Sequence, residues 1–203
     1  VKVGANDGVT GDPCSDILLS GTRWKGLLIE PVPHIFDRLK ANFPDAKRYS
    51  LEQSAVGAAA GETTFYYVDK DAIISLPDLP HWYDKIGSFD RNHIVKLLDG
   101  VLEPHIRECA VEVQTLTAIL KKNGIRDIHL LHIDTEGFDL EVLKTLDFAA
   151  YAPLLIFAEH LHLSAADKKI MIELLREHGY SVRDCGGDYF AVHEEAYGGM
   201  RTR

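Results

Sequence analysis

The 203-residue chain reads as an α/β protein built on a doubly wound sheet, mostly parallel, with an antiparallel last strand. Three observations predict this. Short apolar runs of strand length alternate with helical periodicity along most of the chain. One of those runs, Gly26 to Glu30, is continuously apolar and ends in an acid, as expected of a buried parallel strand. The last two strands, Ser181 to Asp184 and Tyr189 to His193, face each other across Cys185-Gly186-Gly187-Asp188, a hairpin signature.

The elements follow in order. Val1-Lys2-Val3 ends a first strand; the chain opens there without Met, so upstream residues are expected and a targeting segment stays open. The loop Gly4-Ala5-Asn6-Asp7-Gly8-Val9-Thr10-Gly11 breaks that strand. Asp12-Pro13 supplies an N-cap and a first-turn proline for a helix running to about Gly21. Gly26-Leu27-Leu28-Ile29-Glu30 is a buried parallel strand ending in an acid. Pro31 and Pro33 turn the chain into a helix with Ile35, Phe36 and Leu39 on one side, ending near Asn42. A third strand covers Tyr49 to Val56, and Gly57 to Gly61 turns it into Thr63 to Val68 as an expected hairpin. Residues 69–108 hold three prolines, Trp82, Tyr83 and Phe89, and one helical stretch near Ile94 to Leu102. Such a segment reads as a lid or substrate wall, although its aromatics serve equally well as anchors to a sheet edge. Then Val111 to Val113, Ile128 to Ile133 and Leu154 to Phe157 are strands, and Leu116 to Lys122, Asp139 to Leu146 and Ser164 to His178 are helices. At ~100–200 residues per domain, residues 1–203 make a single domain.

Composition excludes several classes of function. Hydrophobic residues are 46% and charged residues 26%, which is ordinary for a folded protein and rules out a disordered chain. The longest apolar run, Phe148 to Ala158, is 11 residues and contains Pro153, short of the ~18–20 needed to cross a bilayer. Lys plus Arg is 22 and Asp plus Glu is 31, a net charge of −9, and no basic run offers the counterion release that drives nucleic-acid binding. Cys14, Cys109 and Cys185 are odd in number and lack C-x-x-C spacing, so they read as reduced core thiols of a cytoplasmic protein.

The glycine loop directs the functional reading. In open α/β sheets a ligand sits beyond the carboxyl ends of the strands, and the first such end is Gly4 to Gly8. Glu30 follows Gly8 by 22 residues and ends the second strand, where a carboxylate suits both hydroxyls of an adenosine ribose. Glycines at 4, 8 and 11 do not form the G-x-G-x-x-G of a dinucleotide site, and Asp7 and Asp12 would face a pyrophosphate. A like-charge pair at ~4 Å costs about 1 kcal/mol even in water. S-adenosylmethionine brings an ammonium and a sulfonium instead, which acids attract. Asn6-Asp7-Gly8 is also a plain turn-forming sequence, and Glu30 could equally be a solvated strand end.

These residues resemble the FkbM-type methyltransferases, S-adenosylmethionine-dependent enzymes acting mostly on hydroxyl groups. The likeness rests on Val3-Gly4-Ala5-Asn6-Asp7-Gly8, on Ile29-Glu30-Pro31-Val32-Pro33 with Phe36, Leu39 and Asn42, and on Ala55-Val56-Gly57. Its most specific block is Ile133-Asp134-Thr135-Glu136-Gly137-Phe138-Asp139-Leu140-Glu141-Val142-Leu143; Pro153, Glu159 and Gly179-Tyr180 also fit. The resemblance implies a class I, Rossmann-like methyltransferase sheet. It implies that Gly4, Ala5, Asn6 and Asp7 line the methionine end of the cofactor and that Glu30, beside Pro31, holds the ribose. Ser54 and Ala55 would border the adenine, and Asp134 would lie near the methyl or amino group. The long 69–108 segment exceeds what the family core needs.

Methyl transfer to a hydroxyl needs a collinear arrangement and a proton acceptor. Candidates at the later strand ends are Asp134, Glu136, Glu159 and His160, with His160 preferred because an imidazole titrates near neutrality. A divalent metal on His160 and His162 with Asp134 and Glu159 is an alternative that is not favoured. The expectation is therefore O-methylation of a small-molecule or glycan hydroxyl. A nicotinamide-dependent oxidoreductase and a non-catalytic adenosine-binding domain are the rival readings.

Overall fold

The computed structural model describes residues 1–20 and 23–195. The fold is mixed α/β with a large, mostly parallel sheet. In chain order the elements are β1 (Lys2–Val3), α1 (Ser15–Ser20), β2 (Gly26–Ile29), α2 (Pro33–Asn42), β3 (Tyr49–Glu52), β4 (Ala55–Val56), β5 (Gly61–Val68), α3 (Ala72–Ser75), β6 (Gly87–Ser88) and α4 (Arg91–Lys96). They continue with β7 (Ile106–Gln114), α5 (Leu116–Lys122), β8 (Leu130–Ile133), α6 (Asp139–Lys144), β9 (Leu155–Glu159), α7 (Ala165–Glu177), β10 (Tyr180–Asp184) and β11 (Asp188–His193). Two units share them: one holds Val1–Gly4, Val56–Ala60 and the chain from Gln114 onward, the other Ala5–Ala55 and Gly61–Val113.

In the first unit the strands lie in the order β10-β11-β9-β8-β1. β8 pairs in parallel with β1 (Lys2↔His132, Val3↔Ile133) and with β9 (Leu130↔Leu155 to Ile133↔Ala158). β11 pairs antiparallel with both β9 and β10. Leu131, Ile133, Ile156, Ala158 and Ala191 are wholly buried, which ties this register to the core, since a one-residue slip would turn each of them to the other face. Helix α7 begins where the Ser164 hydroxyl accepts from the Asp167 N–H, buries Met171 and Leu175 one turn apart, and stops at Gly179, whose φ is +81°.

In the second unit β2 and β3 run parallel from Gly26↔Tyr49 to Ile29↔Glu52. Leu27, Leu28 and Ile29 are all buried, which is why this strand is apolar without alternation. Helix α2 starts at Pro33 and turns Ile35, Phe36 and Leu39 inward; Phe36 and Leu39 join Ala5, Leu18, Leu28, Phe43 and Tyr49 in one cluster. A smaller sheet is formed by β5, which is antiparallel to β7 from Gly61↔Val113 to Val68↔Ile106 and to β6 at its far end.

Several local expectations change. The third strand is broken after Glu52, leaving β3 and the two-residue β4. Its expected hairpin partner, β5, pairs instead with β7, which begins at Ile106 and is nine residues long. The helix expected near Ile94 to Leu102 is Arg91–Lys96: the Asp90 carboxylate caps it by accepting from the Asn92 N–H, and left-handed Leu98 and Asp99 (φ 49° and 54°) end it early. Helix α1 ends at Ser20, and Gly21, where it was expected to stop, lies outside the described residues. In the 69–108 segment Tyr83 is buried and its hydroxyl donates to the Lys70 carbonyl. Phe89 packs edge-on against Phe65 at 5.0 Å, while Trp82 is 38% exposed. Two of the three aromatics are thus anchors.

Candidate active site

In the second unit the loop after β1 is built around two carboxylates. The Ala5 N–H donates to the Ile29 carbonyl (2.9 Å). The next residue, Asn6, turns left-handed (φ 54°), a conformation uncommon outside glycine but tolerated by asparagine. Its N–H donates to Glu30 Oε2 (2.9 Å), while Glu30 Oε1 accepts from the Val32 N–H (2.9 Å). Glu30 is 5% exposed, so these bonds hold its carboxylate at the end of β2 in one orientation. Ser54, also in this unit, is fully buried, and its hydroxyl has no hydrogen-bond partner among the described residues; Ala55 beside it is buried too. An orphaned buried hydroxyl calls for an explanation, and a bound polar ligand is one.

Asp7 is spent within the loop. Its Oδ1 accepts from the N–H groups of Val9 (3.0 Å) and Thr10 (2.8 Å), and its Oδ2 from the Thr10 hydroxyl (2.6 Å). Lys85 Nζ stands 3.9 Å away and donates to the Thr10 carbonyl at 2.8 Å. Burial pushes the Asp7 carboxyl upward, but the Thr10 hydroxyl, the two N–H groups and Lys85 outweigh it, and its pKa ends below the usual value. Asp7 is therefore ionised and locally neutralised, so the charge argument against a pyrophosphate draws little from this residue. Asn42 Nδ2 donates to the Asp7 carbonyl (2.8 Å), and a Cβ at Gly8 (φ +72°) would lie 2.3 Å from the Phe43 ring.

In the first unit Gly4 lies against the end of β8. A Cβ there would sit 1.7 Å from the Asp134 carbonyl oxygen, so only glycine fits. The Thr135-to-Gly137 turn that follows is held by Asp139, whose carboxylate accepts from the N–H groups of Thr135 (3.0 Å) and Gly137 (3.1 Å). Glu136 is left-handed at φ 53°. Its Oε2 stands 3.3 Å from His162 Nε2, which lies 4.0 Å from Glu159 Oε1. Glu159 Oε2 is buried without a hydrogen-bond partner. Burial, then Asp134, Glu136, Asp139 and Asp188, push the Glu159 carboxyl up to about 9, so it carries its proton at neutral pH. Burial likewise raises Asp139 to about 7, against its two N–H bonds.

His160 is 4% exposed. Its Nε2 lies 3.2 Å from Asp184 Oδ1, its ring packs on Tyr189 (centroids 3.9 Å apart), and its Nδ1 has no hydrogen-bond partner. With Nε2–H donating to the carboxylate, Nδ1 keeps a lone pair. The two imidazoles of the metal alternative thus turn to different carboxylates, His160 to Asp184 and His162 to Glu136. A third, His132, is buried and accepts at Nδ1 from Lys2 Nζ (3.0 Å); burial and that cation lower its pKa to about 3.

The model of the methyltransferase FkbM domain matches residues 2–182 of the 203. The chain belongs to the FkbM methyltransferase family. No curated protein and no solved structure matches it. One family model therefore runs through both units, and this FkbM chain is a methyltransferase by family. No helix among the described residues is long and apolar enough to cross a membrane.

Sequence reasoning named Asp7, Glu30, Ser54, Asp134, Glu136, Glu159 and His160. The structure brings Asn6, Asp7 and Glu30 together in one unit, and Glu136, Glu159 and His162 in the other. It adds Asp184, which grips His160, and Lys85, which grips the loop. Neither carries a motif, although Asp184 faces His160 as soon as β11 is placed between β9 and β10.

Proposed function

We propose that this protein is an S-adenosylmethionine-dependent O-methyltransferase of class I, Rossmann-like architecture, acting on a hydroxyl of a small molecule or glycan. The observation that carries the reading is Glu30: a buried carboxylate at the end of β2, oriented by the N–H groups of Asn6 and Val32 before any ligand arrives. A preorganised acceptor of this kind suits a ribose diol. Ser54 and Ala55 would border the adenine, with the orphaned Ser54 hydroxyl finding its partner there. Pro31 stiffens the chain beside Glu30, and Gly4, Ala5, Asn6, Asp7 and Asp134 are proposed for the methionine end. When bound, S-adenosylmethionine supplies an electrophilic methyl group.

The protein's own task is to receive the acceptor's proton as the oxygen gains its methyl. His160 suits this: with Nε2–H turned to Asp184, it takes the proton at Nδ1, and Asp184 stabilises the imidazolium. Glu159, protonated at neutral pH, can donate a hydrogen bond to the acceptor oxygen, while Asp134 and Glu136 keep its proton in place by their charge. No step here calls for a metal ion. The three thiols are free, but only Cys14 is a core thiol as expected, Cys109 being half-buried and Cys185 exposed on the turn between β10 and β11. We read them as those of a reducing compartment such as the cytoplasm.

The test uses S-adenosylmethionine carrying a carbon-13 methyl, offered to a panel of sugars, phenols and amines. A new O-methyl carbon signal supports the reading, with His160→Ala lowering turnover by ~100-fold or more while leaving cofactor affinity within about threefold. N-methyl signals alone, or equal turnover in the variant, would contradict it.

A further inference from the structure

Asn6 is a non-glycine residue held at φ 54°, a conformation that persists only when its surroundings over-determine it. Three groups do so. Its N–H donates to Glu30 Oε2, its Oδ1 accepts from the Asp7 N–H (2.8 Å), and its Nδ2 donates to the Lys85 carbonyl (3.2 Å). The Lys85 ammonium reaches the same loop a second time, donating to the Thr10 carbonyl (2.8 Å) and facing Asp7. One residue of the 69–108 segment thus fastens the loop at both ends, by its main chain at Asn6 and by its side chain at Thr10.

Lys85 is itself held. The preceding Asp84 pairs with Arg38 of α2 at 2.6 Å, and Asp84 is 6% exposed. Tyr83 and Ile86 on either side are buried in the cluster that includes Val68, Ala72, Ile94 and Leu102. The Lys85 side chain is only 11% exposed, rare for a lysine, and burial lowers its pKa while Asp7 and Asp84 oppose that shift. A buried ion pair is weak as a source of stability but effective as a geometric constraint.

We propose that Lys85 is a positioning residue for the cofactor loop: it fixes the loop's shape, and through Asn6 the orientation of Glu30, and thereby sets nucleoside affinity without touching the reacting atoms. The inference rests on the assignment of Glu30 to the ribose made above. It also gives the long central segment a role in cofactor binding that is separate from any part in substrate choice.

The experiment is calorimetric titration of S-adenosylhomocysteine into the wild-type protein, Lys85→Met, Lys85→Arg and the surface control Lys40→Met, all well below their melting temperatures. Lys85→Met keeps the aliphatic stem and removes the donors, and is expected to weaken binding about tenfold. Lys85→Arg, which can still donate to the Thr10 carbonyl, should recover most of that loss, and Lys40→Met should match wild type. A purely structural lysine would lower the melting temperature of Lys85→Met and leave its affinity unchanged; that result overturns the proposal while sparing the ribose assignment. Absence of binding to the wild-type protein would overturn both. Should Lys85→Met fail to fold, Lys85→Gln is titrated in its place, and wild-type affinity there would overturn the proposal equally.

Discussion

Two groups of acids, one in each unit, show the same side chains reaching opposite charge states. Asp7 is 7% exposed and Glu159 has a side chain 16% exposed, so both carboxylates are largely removed from water. Asp7 is surrounded by donors, namely two N–H groups, a hydroxyl and an ammonium, and its pKa falls. Glu159 is surrounded by other acids, one of its oxygens has no hydrogen-bond partner, and its pKa climbs to about 9. Asp139 falls between, with two N–H bonds against complete burial and a pKa near 7. Burial alone therefore does not decide the charge of a strand-end acid; the count of donors against neighbouring carboxylates does. The consequence is a division of labour between a fixed anion, Asp7, in the second unit and a proton-holding acid, Glu159, in the first.

The largest effect expected from breaking this contrast is at Glu30. Glu30→Ala removes the acceptor for two N–H groups as well as the proposed ribose contact. It should weaken S-adenosylhomocysteine binding by at least ~100-fold and cost on the order of 2 kcal/mol of stability, read by calorimetry and denaturant unfolding. Glu159→Gln comes next, with the opposite sign. A carboxyl raised from 4.5 to about 9 gives a folded state that binds the extra proton. The stability this group contributes is thus greatest below about 4.5 and declines as pH rises towards 9. The amide removes that decline, so Glu159→Gln should be more stable than wild type at pH 8 by at least ~1 kcal/mol, and equal to it near pH 4. Melting curves at the two pH values check this.

Asp7→Asn is the smallest and mirrors it. A lowered carboxyl contributes stability that is present above the ordinary value of 3.8 and lost as pH falls through the depressed folded value. The variant should therefore be less stable than wild type at pH 7, by roughly 0.5–1 kcal/mol, with the difference shrinking as pH falls through the depressed folded value. If Asp7→Asn and Glu159→Gln shifted stability in the same direction at pH 8, the contrast between the two groups would be wrong.

How far these groups were legible in the sequence follows the range of the interactions that make them. Glu30 could be read because an apolar run, an acid and two prolines are neighbours in the chain. Helix α7 could be read because Ser164, the Met171–Leu175 spacing and Gly179 carry its start, its buried face and its stop. The pairing of β5 with β7 could not, because Val68 meets Ile106 only after the whole central segment has closed on itself, and a local turn signal at Gly57 to Gly61 pointed to the nearer strand. Asp7 shows the same limit. Its position at a ligand loop was legible, but its neutralisation depends on Lys85, which sits in a stretch without periodicity and reaches back across the unit. His160 was legible as a strand-end imidazole; its grip by Asp184 depends on β11 inserting between β9 and β10.

The most direct measurement is the heat of titrating S-adenosylhomocysteine and, separately, NAD into the purified protein. Saturable one-to-one binding of the sulfur nucleoside, lost in Glu30→Ala, with no heat from NAD, is the predicted result. Saturable NAD binding with none for S-adenosylhomocysteine would contradict the account.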